Sequence, residues 1–547
     1  MKRITYILIV VLGSMMVLSC NKTIDKLQAD PNNPTSVPPS LILGTVLTDM
    51  SGTVTNASAT GANSGSQIGN LGGIASWDAV HRWNQYYCSN YDYYNVNTYY
   101  WQTGPFDGYT VMKNVIQMDK EAISRGAAAV NPYEAVGRFV MAYYYYNMTS
   151  MMGDIPQIQA LEGSLNPSPA YTPQKQVFQY ILNTLDTANT DLATLIAAGD
   201  NSLSTTQDIY YQGNLAQWQK LVNSFKLRVL ISLSNQSADA DLNIPATFAN
   251  IFNHPATYPV FQSQADDFEF VYQPNYNIYY FNPADFKTIG TRYNLAQTYV
   301  QALTGLDDAR LLMTSEPAWK LVDSLNYAPT DTRAFNGAST GEPQGNMFIE
   351  ATKGYYSFIN RNRYFSSDVG QPDILAGYQE LCFNIAEAMN LAWVSGNAET
   401  WYKQGIIESM NYNGLNTADT SFVAHFLPEG ADALSLVQDY PFTFKFSSYY
   451  AQTGVAYAGG TTGRNQIVLQ KYIASFQNSG WEAYFNQRRT GIPVFTGGSG
   501  VGNNGVVPMR WAYPITEQTQ NATNWQAALT NQGFTTDDLN GKMWILK

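Results

Sequence analysis

Residues 373–414 read DILAGYQELCFNIAEAMNLAWVSGNAETWYKQGIIESMNYNG, and the fold follows from how that stretch is parsed. Apolar residues recur at Leu375, Tyr378, Leu381, Ile385, Met389 and Ala392, close to the 3.6-residue period of a helix. Gly396 is suited to close that helix and Asn397 to cap a second one. Small residues at Ala386, Ala388 and Gly405 allow two backbones to approach closely. The stretch therefore predicts an antiparallel helical hairpin of tetratricopeptide type, a unit that buries its apolar face only by stacking on neighbours. Glu380 and Glu387 lie seven residues apart and share one side of the first helix. Such carboxylates either bond loop backbone or cationic partners, or form a catalytic acid–base pair.

Working outward, further helices are expected on both sides. Asn131-Pro132-Tyr133-Glu134 is an N-terminal signature, with Asn as cap, Pro in the first turn and Glu closing a capping box. Thr172-Pro173 opens a helix running to about Ala198, and another covers Asn214 to Ser234. Leu41, Phe106 and Arg292 begin others, ending near Met50, Ser124 and Thr304. Ile467 to Thr490 reads as a helix or helix pair. Phe268 starts an alternating strand that gives way to a Pro/Asn-rich loop, and Ala431 to Gly460 reads as loop or edge structure.

The N-terminus is an address. Lys2 and Arg3 precede an apolar run from Ile4 to Leu18, and Ser19 stands directly before Cys20. This predicts a signal peptide over residues 1–19 and acylation of Cys20. A leader over 20–40, rich in Pro and Asn, then connects the lipid to a single domain over 41–547. Several acyl chains, at about 0.8 kcal/mol per buried CH₂, hold such a domain at a bilayer. No later stretch has eighteen consecutive apolar residues. Acidic residues outnumber basic ones, 42 to 30, and there is no Lys/Arg-rich block. That balance argues against nucleic acid or an anionic membrane surface as partner. Cys88 and Cys382 leave pairing open.

Aromatic residues are in excess: 39 Tyr, 25 Phe and 11 Trp against 13 % charged residues. Many fall in loop-like sequence beside amides. Trp83 to Tyr87 reads as core, whereas Tyr91, Tyr93, Tyr94 and Asn97 lie in a segment without clean periodicity. Tyr276, Tyr279, Tyr280 and Asn282 form a second such loop, and Tyr355, Tyr356 and Arg361 a third. Rings that cover apolar C–H patches, with amides bonding hydroxyls, suit sugar recognition. Packing between helices is the competing reading for each ring.

Some signals point nowhere. Gly500-Val-Gly502-Asn-Asn-Gly505 matches a dinucleotide fingerprint in letters, but no strand leads in and Pro508 blocks a following helix. His81, His254 and His425 lack metal-ligand spacing, so no metal or cofactor is expected. No nucleophile elbow or phosphate loop is present.

Taken together, several motifs resemble the SusD/RagB family of outer-membrane nutrient-binding lipoproteins. They are Tyr378-Gln-Glu380…Ala386-Glu387-Ala388 with Gly396, Tyr402, Gly405-Ile406 and Ser409-Met410; Ala135…Arg138…Tyr143…Gly153-Asp154-Ile155-Pro156; Trp218 with Asn223-Ser224 and Lys226-Leu227-Arg228; Leu306 to Leu311; and, most specific, the lysine-bearing helix ending in Arg488-Arg489 with Gly491 and Pro493, followed by Arg510-Trp511-Ala512-Tyr513-Pro514 and Glu517. Asp30-Pro31-Asn32-Asn33-Pro34 and the residues after it look like the family's more divergent branch. The acidic export cue that such families often carry after the cysteine is reduced here to Asp25.

The resemblance implies a mostly α fold: a right-handed superhelix of four tetratricopeptide-like helical pairs, packed against a loop-rich, insertion-elaborated region. It implies a binding protein without catalysis, facing the cell surface and lying as a lid over a SusC-like TonB-dependent transporter. It also implies that the three aromatic loops converge on one surface that takes oligosaccharide. Arg488, Arg489 and Arg510 are expected to bond helix ends and the acids of the hairpin. Peptide or another non-glycan nutrient, an envelope-anchored glycoside hydrolase and an adhesin are the alternatives.

Overall fold

The computed structural model describes residues 36–50, 80–91, 97–99, 106–275 and 278–547. The signal peptide, Cys20 and the leader up to Thr35 lie outside them. The protein is mostly helical. Its longer helices are α1 (Pro39–Met50), α2 (Gly108–Ser124), α3 (Pro132–Met152), α4 (Gln174–Ala197), α5 (Leu215–Ser232), α6 (Ile244–Asn253), α7 (Gln297–Thr304), α8 (Gln344–Thr352), α9 (Tyr378–Asn390), α10 (Ala398–Tyr412), α11 (Gly460–Ala474), α12 (Glu482–Thr490) and α13 (Ala522–Gln532). Among the described residues none is long and apolar enough to cross a membrane.

Neighbours in sequence pack on one another, α1 on α2, α2 on α3, α3 on α4 and α4 on α5. From α5 the stack crosses a long insertion to α9, which pairs with α10 and α11. This is the superhelix of tetratricopeptide-like pairs, and one apolar core runs through it from Leu43 to Ile545. Its middle helix, α3, touches α2, α4 and α5. Tyr143, Tyr144, Tyr145 and Tyr146 are consequently all buried, as expected of a helix covered on every side.

Local sequence sets the ends. Asn131 Oδ1 accepts from the N–H groups of Tyr133 and Glu134 at 3.0 and 3.1 Å, a true cap. Glu134 does not close the expected box. It turns to Arg138, whose Nε also donates to Asp191 of α4 at 3.0 Å. Asn214 caps α5 through Ala216 and Gln217. At the start of α4 the cap comes from Asp154, whose Oδ1 accepts from Gln174 N–H at 2.8 Å, in place of the expected Thr172.

The hairpin departs from the expected boundaries at one end. Asp373–Ala376 is not helical but a strand, β6, paired antiparallel with β4 (Phe268–Phe270), so α9 begins only at Tyr378. Asp267, beside β4, accepts from the Tyr378 N–H at 2.6 Å. Asn397 caps α10 through Glu399 as predicted, at 2.9 Å. Gly405 of α10 sits against the Phe383 ring of α9, where an added Cβ would lie 2.8 Å from it.

The remaining strands form three two-stranded pairs: β1 (Tyr87–Ser89) with β5 (Tyr293–Leu295), β2 (Ile155–Pro156) with β3 (Tyr171–Thr172), and β7 (Ser421–Phe426) with β8 (Gln438–Thr443). The expected helix from Arg292 is thus a strand followed by α7, because pairing with β1 claims Tyr293–Leu295 first. Cys88 and Cys382 are both buried and free. The glycine-rich stretch 500–505 forms short turns in which Gly500 lies against the Glu342 carbonyl, with no strand or long helix flanking it.

Candidate functional site

The two hairpin carboxylates are structural anchors. Arg228 of α5 grips Glu380 through both oxygens, and Ser479 donates to it at 3.0 Å. Arg489 of α12 holds Glu387 at 2.6 and 2.8 Å, with Arg464 of α11 at 3.1 Å. Burial alone would raise Glu387, but these guanidinium groups hold its carboxyl down to about 2. Both acids face arginines inside the helix stack, so the acid–base reading of the pair is not supported by this geometry. Arg488 and Arg510 do bond helix-end carbonyls, Ser150 at 2.7 Å and Met152 at 3.2 Å. Arg510 takes Asp537 rather than a hairpin acid, at 2.5 Å.

The described residues flanking the first aromatic loop share an assembly with the third. Asn97 closes the neck of the first, accepting from Ser89 N–H at 2.9 Å and donating to Ser89 C=O at 2.8 Å. It is buried, and its amide serves the loop's backbone. Gln344 at the start of α8 donates to the carbonyls of Ser89 and Tyr91. The Tyr91 ring lies under the Arg292 guanidinium, 4.3 Å away. The loop of Tyr355 and Tyr356 joins the same assembly, since Ser357 C=O accepts from Leu295 N–H in β5 at 2.9 Å. Tyr93, Tyr94 and Tyr276 lie outside the described residues.

The loop of Tyr279, Tyr280 and Asn282 goes elsewhere. Tyr279 is fully buried, with its ring against Tyr272, Tyr280 and Phe281. Tyr280, half-buried, points its hydroxyl toward Asp373 at 3.5 Å. Asn282 is buried in an Asx turn, accepting from Ala284 and Asp285 N–H. Tyr279 and Asn282 are thus packing and turn residues, because β6 draws this loop inward onto the Asp373 carboxyl. Burial pushes that carboxyl up to about 7, against the hydrogen bonds of Tyr272 and Tyr280.

Beside the third loop, an open cleft of about 330 Å³ is lined by Asn90, Trp319, Phe348, Tyr356, Phe358, Arg361 and Glu429, among others. Tyr356 is half-buried and donates to Glu342 at 2.7 Å. Tyr355 precedes it, half-buried, without lining the cleft. Arg361 is buried, and its Nε and Nη2 donate to one oxygen of Glu316 at 2.9 and 2.7 Å. Its guanidinium lies 5.4 Å from the Phe358 ring, so it shapes the wall with its charge already satisfied. Trp319 opens the short helix Trp319–Leu325, and its buried indole N–H has no hydrogen-bond partner among the described residues. Phe348 of α8 is 47 % exposed, a large ring open to solvent.

Trp319, Phe348 and Glu429 are not among the residues expected from sequence. Each stands alone in its own segment, without the crowding of tyrosines that drew attention to the other loops. Trp319 directly after Glu316-Pro317-Ala318 was the available signal: a lone Trp behind a Pro that stops one element and starts another.

Solved structures of similar fold cover more than nine-tenths of the chain. A SusD homolog from Bacteroides fragilis is 25% identical over 93% of this chain and 100% of its own, with a TM-score of 0.75. A second from the same species is 28% identical over 94% and 100%, with a TM-score of 0.72. A chitin-binding SusD homolog from Flavobacterium johnsoniae, 18% identical over 92% and 98% with a TM-score of 0.66, shares the fold. No curated protein matches the chain in sequence. The SusD-like family model described as "Starch-binding associating with outer membrane" matches residues 31–514, and this chain belongs to that family.

Proposed function

We propose that this protein is a non-catalytic outer-membrane binding protein that captures an oligosaccharide in the cleft beside Trp319 and delivers it to a SusC-like TonB-dependent transporter. The observation that carries the reading is the make-up of that cleft. Trp319, Phe348, Tyr356 and Phe358 provide faces for the apolar C–H patches of a sugar ring. A few polar groups among aromatic walls is the usual construction of a small-ligand site. The family's description as starch-binding and the chitin-binding neighbour support glycan as the ligand class. Acylation at Cys20 would hold the domain at the membrane, facing the cell surface.

The test is calorimetry of the chain from Asn21 onward against a panel of soluble oligosaccharides, with Trp319→Ala in parallel. Binding without product formation, weakened in the variant, is the expected result. Retention of peptides and of no glycan would give the same fold a different nutrient.

A further inference from the structure

The charges around the cleft do not balance. Among the described residues that line it, Arg361 is the one cation, and buried Glu316 neutralises it. Glu429, on an exposed turn of the wall, has no hydrogen bond or ion pair among the described residues. Glu342 stands directly behind Tyr356 and accepts its hydroxyl, but no lysine or arginine of the described residues pairs with it. Glu350, on α8, is answered by Lys353 at 2.8 Å. Arg292 is committed to the face of Tyr91. In the described lining Glu429 thus remains without an ion pair beside aromatic faces, and an aromatic face attracts cations, Trp most strongly.

Resting on the glycan reading above, we propose that the cleft is a subsite for an ammonium group, so that the captured oligosaccharide carries unacetylated amino sugar. A protonated amine at the cleft takes the Glu429 carboxylate as partner while the Trp319 and Phe348 rings cover the sugar's C–H face. An acetamido group offers no charge to Glu429. A uronic acid or sulfate brings a like charge to it, and like-charge placement is how a site rejects a competitor.

Three oligosaccharides of equal length and β-1,4 linkage isolate the chemistry, because they differ only at C2: cello-oligosaccharide, its acetamido counterpart and the fully deacetylated amine. Calorimetry of the full mature chain is expected to show the amine binding about tenfold tighter than either of the others. Glu429→Gln, a surface change that leaves the fold intact, should bring the amine down to their level. Equal binding of all three, or a preference that survives Glu429→Gln, would overturn the ammonium subsite and leave glycan capture standing. Retention of oligolysine with no sugar retained would overturn both, assigning the cleft to basic peptide.

Discussion

The Arg489 guanidinium meets the Glu387 carboxylate in two parallel hydrogen bonds of 2.6 and 2.8 Å, tying α12 to α9 where neither side chain reaches solvent. Removing one member leaves the other charged and buried, which costs about 3–5 kcal/mol. Glu387→Ala is expected to lower unfolding free energy by that amount in urea titrations, and Arg489→Ala by less, because Arg464 still holds Glu387 at 3.1 Å. Replacing both by apolar residues of similar volume should recover most of the loss. A double variant as unstable as the two single losses summed would contradict this account.

The same pair sets an acid limit. Glu387 sits at about 2 when folded against an ordinary glutamate near ~4.3 when unfolded. Its folded value is depressed, so its contribution is fully present above the unfolded value and is lost as pH falls through about 2. Stability should therefore drop across that window, and Glu387→Gln should show a flatter acid limb in the same titration.

Asp373 behaves with the opposite sign. Its folded value, near 7, lies above an ordinary aspartate at ~3.9, so the folded state holds the extra proton between those limits. Its contribution favours the folded state below that window and falls away as pH rises toward 7. Subtracting the Asp373→Asn stability profile from that of the native protein isolates this term. A difference curve that is level from pH 4 to 7 would exclude it.

Much of this was legible in the chain, and the reason differs by element. Helices were legible where the sequence carries its own punctuation, as at Asn131-Pro132 and Asn397. Strands were not. Asp373–Ala376 and Tyr293–Leu295 are short apolar runs abutting true helices, and only partners far away in sequence, Phe268–Phe270 and Tyr87–Ser89, decide their conformation. The spacing of two helical turns put Glu380 and Glu387 on one side of a helix but left their role open, because the arginines that decide it come from distant helices. The cleft was half legible. A cluster of tyrosines marks a place rich in rings, but Tyr279 and Tyr356 look alike until the fold packs one against Tyr272 and Phe281 and sets the other in the cleft lining with Trp319.

That distinction separates two substitutions. Tyr279→Ala empties a fully buried ring position and should cost about 3–5 kcal/mol of stability while leaving affinity per folded molecule unchanged. Trp319→Ala should do the reverse, abolishing ligand retention in affinity electrophoresis while the protein still melts cooperatively. Trp319→Phe keeps an aromatic face at that place and should retain ligand that Trp319→Ala loses. Loss of affinity in Tyr279→Ala without loss of stability would return that loop to the binding surface.

The hairpin itself rests on a missing side chain. At Gly405 an added Cβ would lie 2.8 Å from Phe383 Cε1 and Cζ, inside the closest contact real Cβ atoms make. The Phe383 ring is buried and has no room to retreat, so Gly405→Ala should push α10 off α9 and cost about 1–3 kcal/mol. This opposes the usual gain of up to ~1 kcal/mol when alanine replaces glycine in a helix. Trimming the obstacle should then reverse the sign: in a Phe383→Leu background, Gly405→Ala is expected to cost less than it does alone. A double-mutant cycle in urea reads that coupling directly, and additive effects would mean that close approach of the two helices is not what the glycine supplies.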